Sequence, residues 1–149
     1  MKDMSAKVLA VCISEKKGER KTPVASVELK ENHGIIGDAH AGDWHRQVSL
    51  LAMESIRKMQ ALGLSVDTGD FAENITTEGI ELVSLPIGTR LSIGPTEMEV
   101  TQIGKECHTR CAIYYQAGDC VMPKEGIFAK VLKGGTVKPG DVVAVIGDW

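Results

Sequence analysis

The sequence predicts a mostly β, barrel-like domain with one or two short helices, and three observations carry that expectation. Apolar residues fall in short runs, the breaks between runs are filled by Gly, Pro and Asp, and only one stretch has helical spacing. Many short strands of this kind are how a barrel or a closed sheet reads in sequence. With 149 residues, 43% of them hydrophobic, the chain has the size and core content of one compact domain spanning 1–149. It shows no internal repeat, low-complexity tract or linker.

The elements follow in order. Val8-Leu9-Ala10-Val11-Cys12-Ile13 is a nearly all-apolar run and reads as a strand buried on both faces. Lys16 to Lys21 is a polar turn, and Val24 to Leu29 reads as a second strand. A loop rich in Gly, His and Asp fills Asn32 to Trp44. Gln47 to Leu51 is strand-like and runs into Met53–Leu62, where Met53, Ile56 and Met59 share one helical face and Gly63 supplies the stop. Asn74–Thr77 and Arg90–Ile93 are further strands. Met98 to Ile103 alternates in apolar character and pairs with the segment before it across Gly94-Pro95-Thr96. Phe128–Leu132 precedes Gly134-Gly135. Pro139-Gly140 then has the order a type II turn requires, ahead of a last strand at Val142–Ile146.

Charge and composition narrow the function. A net charge of −3 argues against a general nucleic-acid binder, which carries a basic face, and 4% aromatic residues leave few platforms for stacking bases. The run Val8–Ile13 is too short to span a bilayer and is followed by Ser14-Glu15-Lys16-Lys17 where a signal-cleavage region would lie. The expectation is a cytoplasmic protein without a membrane partner. In that setting the four cysteines stay reduced. Cys12, inside the first strand, reads as a small buried hydrophobe.

The chemistry concentrates in Gln102-Ile103-Gly104-Lys105-Glu106-Cys107-His108-Thr109-Arg110-Cys111-Ala112-Ile113. Two thiols, an imidazole and two cations lie within a few residues of a strand end. Thiolate is the nucleophilic and metal-binding form of cysteine, and Lys, Arg or protonated His beside a thiol favours it. Cys107 is therefore the candidate reactive thiol. Cys111 is a resolving thiol, a second ligand, or the start of the apolar run Ala112-Ile113-Tyr114. Cys120, between Asp119 and Val121, reads as packing. Cys107, His108, Cys111 and Cys120 also offer soft zinc ligands, but only the first cysteine pair has the spacing of a structural site.

Three segments in this order resemble a known family. They are Gly34-Ile35-Ile36-Gly37-Asp38-Ala39-His40-Ala41-Gly42 ahead of Arg46-Gln47-Val48-Ser49-Leu50; Gly69-Asp70-Phe71-Ala72-Glu73-Asn74-Ile75-Thr76-Thr77-Glu78-Gly79-Ile80; and Gly104-Lys105-Glu106-Cys107, followed by Gly126–Gly135 and Pro139-Gly140-Asp141. The set resembles the MOSC domain, named for the C-terminal domain of molybdenum cofactor sulfurase, in a stand-alone version. The resemblance implies a β-rich barrel with one essential cysteine, associated with binding the molybdenum cofactor or carrying sulfur. Relatives often have Lys-Pro before that cysteine. Glu106 stands in the proline's place here, and its carboxylate opposes thiolate formation. Some relatives, the amidoxime-reducing proteins, place the metal-binding cysteine directly after an arginine, as in Arg110-Cys111.

Under this resemblance Cys107 is the sulfur carrier or molybdenum ligand, with Cys111 the competing thiol. Lys105, Arg110 and Arg46 counter the phosphate of the cofactor. A guanidinium suits phosphate because it offers a planar fork of donors; a surface salt bridge is the competing role for Arg46. Asn74 either orients a pterin-like ring through its amide or fits the edge of a turn. His40 is a ligand or a turn residue. His33 and Lys58 are assigned to solvent. The implied partner is a cysteine desulfurase, which would hold the pyridoxal phosphate, or a molybdoenzyme. The alternative class is a non-enzymatic zinc-binding or thiol redox-sensing module. No dinucleotide fingerprint is present, and whether a substrate is turned over is left open.

Overall fold

The computed structural model describes residues 6–15, 21–63, 65–71, 73–104 and 125–148. Eleven strands and one α-helix occupy them, so the chain is mostly β as its sequence predicts. The strands are β1 (Lys7–Ile13), β2 (Thr22–Val24), β3 (Val27–Lys30), β4 (Gly34–Ile35), β5 (Val48–Ala52), β6 (Ile75–Glu78), β7 (Thr89–Ile93), β8 (Thr96–Ile103), β9 (Ile127–Lys133), β10 (Gly135–Val137) and β11 (Val143–Asp148). The helix, α1, spans Met53–Ala61, and a short 3-10 turn spans Leu82–Ser84.

Eight strands form one sheet in the order β11-β7-β8-β9-β5-β6-β1-β2, and β10-β3-β4 form a second. Neighbours pair antiparallel except β5 and β6, which run parallel because the chain crosses over through α1 between them. The order of the large sheet is open, with β11 and β2 at its ends, and the start of β1 meets the chain entering β11. Lys7 bridges Val142, Val8 N–H donates to Asp141 O at 2.8 Å, and Val143 N–H donates to Ala6 O at 3.0 Å.

One expected strand divides in two. Val24–Leu29 contains a break at Ala25-Ser26, so Thr22–Val24 joins β1 in the large sheet while Val27–Lys30 joins β10 and β4. The strict in-out alternation of β3 shows that it has one wet face, unlike β1. Lys21, expected in a polar turn, is buried. The short β4 and β10 have too few residues to show a period in sequence.

The core has two parts, one on each face of β5. Val48, Leu50 and Ala52 point into the larger cluster with Val11, Ile75, Leu91, Met98, Val100 and Ala129. Leu51 faces the other way and packs with Ile56, Met59, Val66, Phe71 and Phe128. Helix α1 exists to cover this second face. Its N-cap residue, Ala52, makes no side-chain capping bond, so burial of Ile56 and Met59 rather than capping holds the helix in place. Glu54 in its first turn and Lys58 in its last suit the helix dipole. Gly63, at φ +92°, ends it, as the sequence predicts. Among the described residues no helix is long and apolar enough to cross a membrane.

Candidate functional site

A row of side chains crosses the helix-covered face of the large sheet. Gln102 on β8 sits opposite Phe128 on β9, and Phe128 sits opposite Ser49 on β5. Opposed residues in a ladder share a face. Asn74, just ahead of β6, continues the row beside Ser49, and its backbone C=O accepts the N–H of Cys12 on β1 at 2.7 Å. Four strands and the residue leading into β6 thus contribute neighbouring positions at one level.

Arg46 lies over this row. Its guanidinium carbon stands 5.2 Å from the Phe128 ring centroid, a cation–π contact, and its Nε donates to Gln102 Oε1 at 3.0 Å. The same Gln102 oxygen lies 3.0 Å from His45 Nε2, which fixes the proton on that ring nitrogen, because an amide oxygen only accepts. Gln102 Nε2 donates to Gly104 O at 2.7 Å, and Gly104 N–H donates to Gly126 O at 2.6 Å. Gln102 therefore ties Arg46 to the stem of the segment that carries Cys107. Among the described residues Arg46 hydrogen-bonds through Nε, and its terminal nitrogens make none.

Asn74 is fully buried, and its amide is spent on the scaffold. Oδ1 accepts from Ser49 N–H at 3.0 Å and from Ser49 Oγ at 3.1 Å, while Nδ2 donates to Cys12 O at 3.1 Å. Asn74 shapes the floor of the site by locking β5 to β1. Beside it Glu73, also buried, accepts from Gly69 N–H at 2.8 Å, Thr76 Oγ1 at 2.8 Å and Phe71 N–H at 3.2 Å. Burial pushes the Glu73 carboxyl above the ordinary range, and these donors only partly hold it back. The turn they organise is tight. A Cβ on Gly69, at φ +86°, would meet Lys21 O at 2.2 Å and Cys12 Sγ at 3.2 Å. Cys12 itself is buried, and burial together with the Glu73 charge pushes its thiol up to about 12. It stays protonated and inert at neutral pH.

His40 belongs to a second knot next to this turn. Lys21 Nζ donates to Asp38 Oδ1 at 2.8 Å, to Ser14 Oγ at 3.0 Å and to His40 Nδ1 at 3.2 Å, using its three protons. Nδ1 must then be the accepting nitrogen of a neutral ring. Asp38 Oδ2 accepts the His40 N–H at 2.9 Å, and Asp38 Oδ1 accepts the Ser14 N–H at 3.1 Å. Burial alone would raise the Asp38 carboxyl, but the Lys21 ammonium and the His40 and Ser14 amides outweigh it and hold it well below the usual range. The accepting Nδ1 of His40 lies 3.8 Å from Asp38 Oδ2 and gives it no hydrogen bond. Lys21 N–H donates to Gly69 O at 2.8 Å, so the knot holds the 34–46 loop against the 69–77 segment.

The structure thus brings Arg46, the loop of His40, the segment of Asn74 and the stem of the thiol-bearing segment around one face. Cys107, Cys111, Lys105 and Arg110 lie outside the described residues, as do His108 and Cys120. Sequence reasoning missed Lys21, Ser49, Glu73 and Gln102. Lys21 gave no signal, because it closes a charged run; the pairing with Asp38 appears only in three dimensions. Among the described residues no group of three His, Cys, Asp or Glu side chains could hold a metal ion. What they offer instead is a half-buried cation above an apolar ring, which fits the anionic end of a flat ligand.

The MOSC domain profile matches residues 37–144. No curated protein sequence matches the chain significantly. Among solved structures, the fold is similar to that of the YUAD protein from Bacillus subtilis, with TM-score 0.77 and 18% identity over 94% of each chain. It is also similar to YiiM from Geobacillus stearothermophilus, with TM-score 0.69 and 18% identity over 95% of this chain and 75% of that one. YiiM from Escherichia coli gives 0.68 and 17% over 97% and 70%. The profile covers the 34–46 loop from Gly37 onward, the 69–77 segment and every strand of the site after β4, and on that match the chain belongs to the MOSC domain family.

Proposed function

We propose that this protein binds the molybdenum cofactor or carries sulfur for it, with Cys107 as the soft ligand or carrier and Arg46 as the anchor for the cofactor's phosphate. The observation that supports the reading is the position of Arg46, whose Nε is held by Gln102 and whose guanidinium lies over the Phe128 ring. Cys107 is three residues beyond Gly104, hence within about 11 Å of chain from the end of the Gln102 bracket. A cation and a soft thiol are the two kinds of group that a phosphate-bearing molybdenum cofactor requires at its two ends. The Lys7–Val142 bridge supports the further reading that the large sheet closes into a barrel behind this face.

The residues divide the work. Phe128 gives the guanidinium an apolar seat, Gln102 fixes its plane, and Arg46 binds the phosphate through paired N–H donors. Lys105 and Arg110 add positive charge and raise the thiolate fraction of Cys107, against the opposing charge of Glu106. When bound, the cofactor would supply molybdenum redox chemistry. In the carrier role the Cys107 thiolate attacks the terminal sulfur of a desulfurase persulfide. An S–S bond forms on Cys107 as the donor's S–S bond breaks, and the donor cysteine leaves as thiolate. In this reading Cys111, four residues on in sequence, resolves or shares that sulfur.

The test is cofactor retention. Purified protein is incubated with a molybdenum-cofactor source, passed over a sizing column, and its metals are measured by mass spectrometry. Wild type should retain molybdenum, Cys107→Ala should lose it, and Arg46→Ala should retain it weakly. Stoichiometric zinc in the untreated protein, with no molybdenum taken up, would replace this reading with a zinc or thiol redox module.

A further inference from the structure

We infer that Lys21 fixes the proton of His40 at Nε2, so that His40 donates a hydrogen bond to an acceptor on the heteroaromatic ring of the ligand whose phosphate Arg46 holds. This rests on the anchoring role proposed for Arg46 and adds the contact that reads the ring. Lys21 is a positioning residue, since its ammonium touches the back of the imidazole and not the ligand. Its Nζ donates to Asp38 Oδ1 at 2.8 Å, to Ser14 Oγ at 3.0 Å and to His40 Nδ1 at 3.2 Å. An ammonium has no lone pair, so Nδ1 accepts and the one proton of the neutral ring sits on Nε2. The Lys21 and Asp38 side chains are 0% exposed, whereas His40 keeps 15% of its side chain in solvent. Asp38 alone would neutralise the lysine. The third bond holds a single tautomer of the imidazole at the exposed end of a buried ion pair.

His40 and Arg46 stand at the same end of the large sheet. Val11, Ile75 and Leu50 pair at one level of β1, β6 and β5. Ser14 follows β1 beyond that level and Arg46 precedes β5 ahead of it, and both lie towards one end because β1 is antiparallel to β6 and β5 parallel. Ala39 N–H donates to Ser14 O at 2.8 Å, which brings His40 to the end of β1. Two strand spacings, roughly 10 Å, separate β1 from β5. Side chains cross that gap in an unbroken line. The His40 and Trp44 rings are parallel within 3° at 6.3 Å, and the indole N–H of Trp44 donates to His40 O at 2.7 Å. Trp44 meets the His45 ring edge-on at 5.7 Å, and His45 Nε2 and Arg46 Nε share Gln102 Oε1, each at 3.0 Å. A fixed N–H donor at one end of an aromatic line and a guanidinium at the other suit a ligand that joins an acceptor-bearing heteroaromatic ring to a phosphate arm.

The test pairs nitrogen NMR of the His40 ring with two binding probes, neopterin monophosphate, which has ring and arm, and glycerol phosphate, which has the arm alone. At mildly alkaline pH the wild-type ring should show the Nε2-protonated tautomer only. Lys21→Met with Asp38→Asn removes the ion pair as a unit and should let the Nδ1-protonated tautomer appear. His40→Phe and this double variant should each weaken neopterin monophosphate about tenfold, the worth of one hydrogen bond, and leave glycerol phosphate unchanged. His40→Gln keeps an N–H donor and an acceptor for Lys21 and should bind as wild type does. The two His40 variants leave the ion pair in place and decide the matter should the double variant not fold. A wild-type ring protonated at Nδ1, an unchanged tautomer in the folded double variant, or undiminished neopterin monophosphate binding by His40→Phe would overturn the inference and leave the Arg46 anchor standing. Wild type that binds neither phosphate would overturn the anchor, and the inference with it.

Discussion

Asn74 and Ser49 hold each other by four hydrogen bonds. The Asn74 N–H reaches both Ser49 O and Ser49 Oγ at 3.0 Å, and Asn74 Oδ1 takes the Ser49 N–H and hydroxyl in return. Both residues are buried, so losing these bonds exposes neither to bulk water in compensation. Asn74→Ala strands the Ser49 N–H and the Cys12 carbonyl and should cost about 3 kcal/mol or more, since each buried orphan costs roughly 1–3 kcal/mol. Urea unfolding measures it. A loss below about 1 kcal/mol would mean that the residue is not a scaffold clamp.

The ion pair of Lys21 and Asp38 has both side chains at 0% exposure, so removing one partner leaves an uncompensated buried charge. Asp38→Asn should cost about 3–5 kcal/mol, and replacing both residues by apolar ones should cost distinctly less. The same unfolding experiment distinguishes them.

Acid should unfold the protein through Asp38. Its folded carboxyl titrates below its unfolded value of about 3.9, so its contribution is complete at neutral pH and is lost progressively as pH drops below about 4. Glu73 has the opposite sign. Its raised folded pKa makes its contribution greatest below about 4.3 and diminishing as pH rises through the folded value. Stability followed against pH in wild type and Glu73→Gln should show the variant losing less between acid and neutral pH.

Cys12 should be silent to iodoacetamide in the native state at pH 8, because its thiol stays protonated and buried, and should react only after unfolding. Cys107 should label first. Mass-mapped labelling with time reads both, and equal rates for the two would remove the basis for assigning chemistry to Cys107.

Thr77 and Thr89 each bury a hydroxyl that has no partner among the described residues. Valine has the same shape without the polar atom, so Thr77→Val and Thr89→Val should each be neutral or stabilising by up to about 1 kcal/mol. Thermal melts read the sign directly. A destabilisation would indicate that an ordered water serves these hydroxyls.

Regular elements were legible because each has a period long enough to read. The spacing of Met53, Ile56 and Met59 and the stop at Gly63 match α1, and the alternation before Ile103 matches β8. The split at Ala25-Ser26 was not legible, since two short strands of different sheets join into one apolar run. The site was half legible. Arg46 and the 69–77 segment stand out as motifs, whereas Gln102 and Ser49 matter only through partners 56 and 25 positions away. Lys21 was the plainest miss. Composition treats a lysine as a surface residue, and only the fold supplies the carboxylate, hydroxyl and imidazole that make its burial tolerable.

The bridge from Lys7 to Val142 also has a kinetic meaning. The outer edge at the start of β1 is completed only by residues 140–143, whereas its neighbour β6 is made much earlier. At the roughly 5–20 residues per second of protein synthesis, that edge waits on the order of 10 s for its partner. Contacts this distant in sequence also slow folding, because the loop must close before the pairing rewards it. During that interval β1, apolar on both faces, is the segment most exposed to wrong strand pairing and the one a chaperone would be expected to hold.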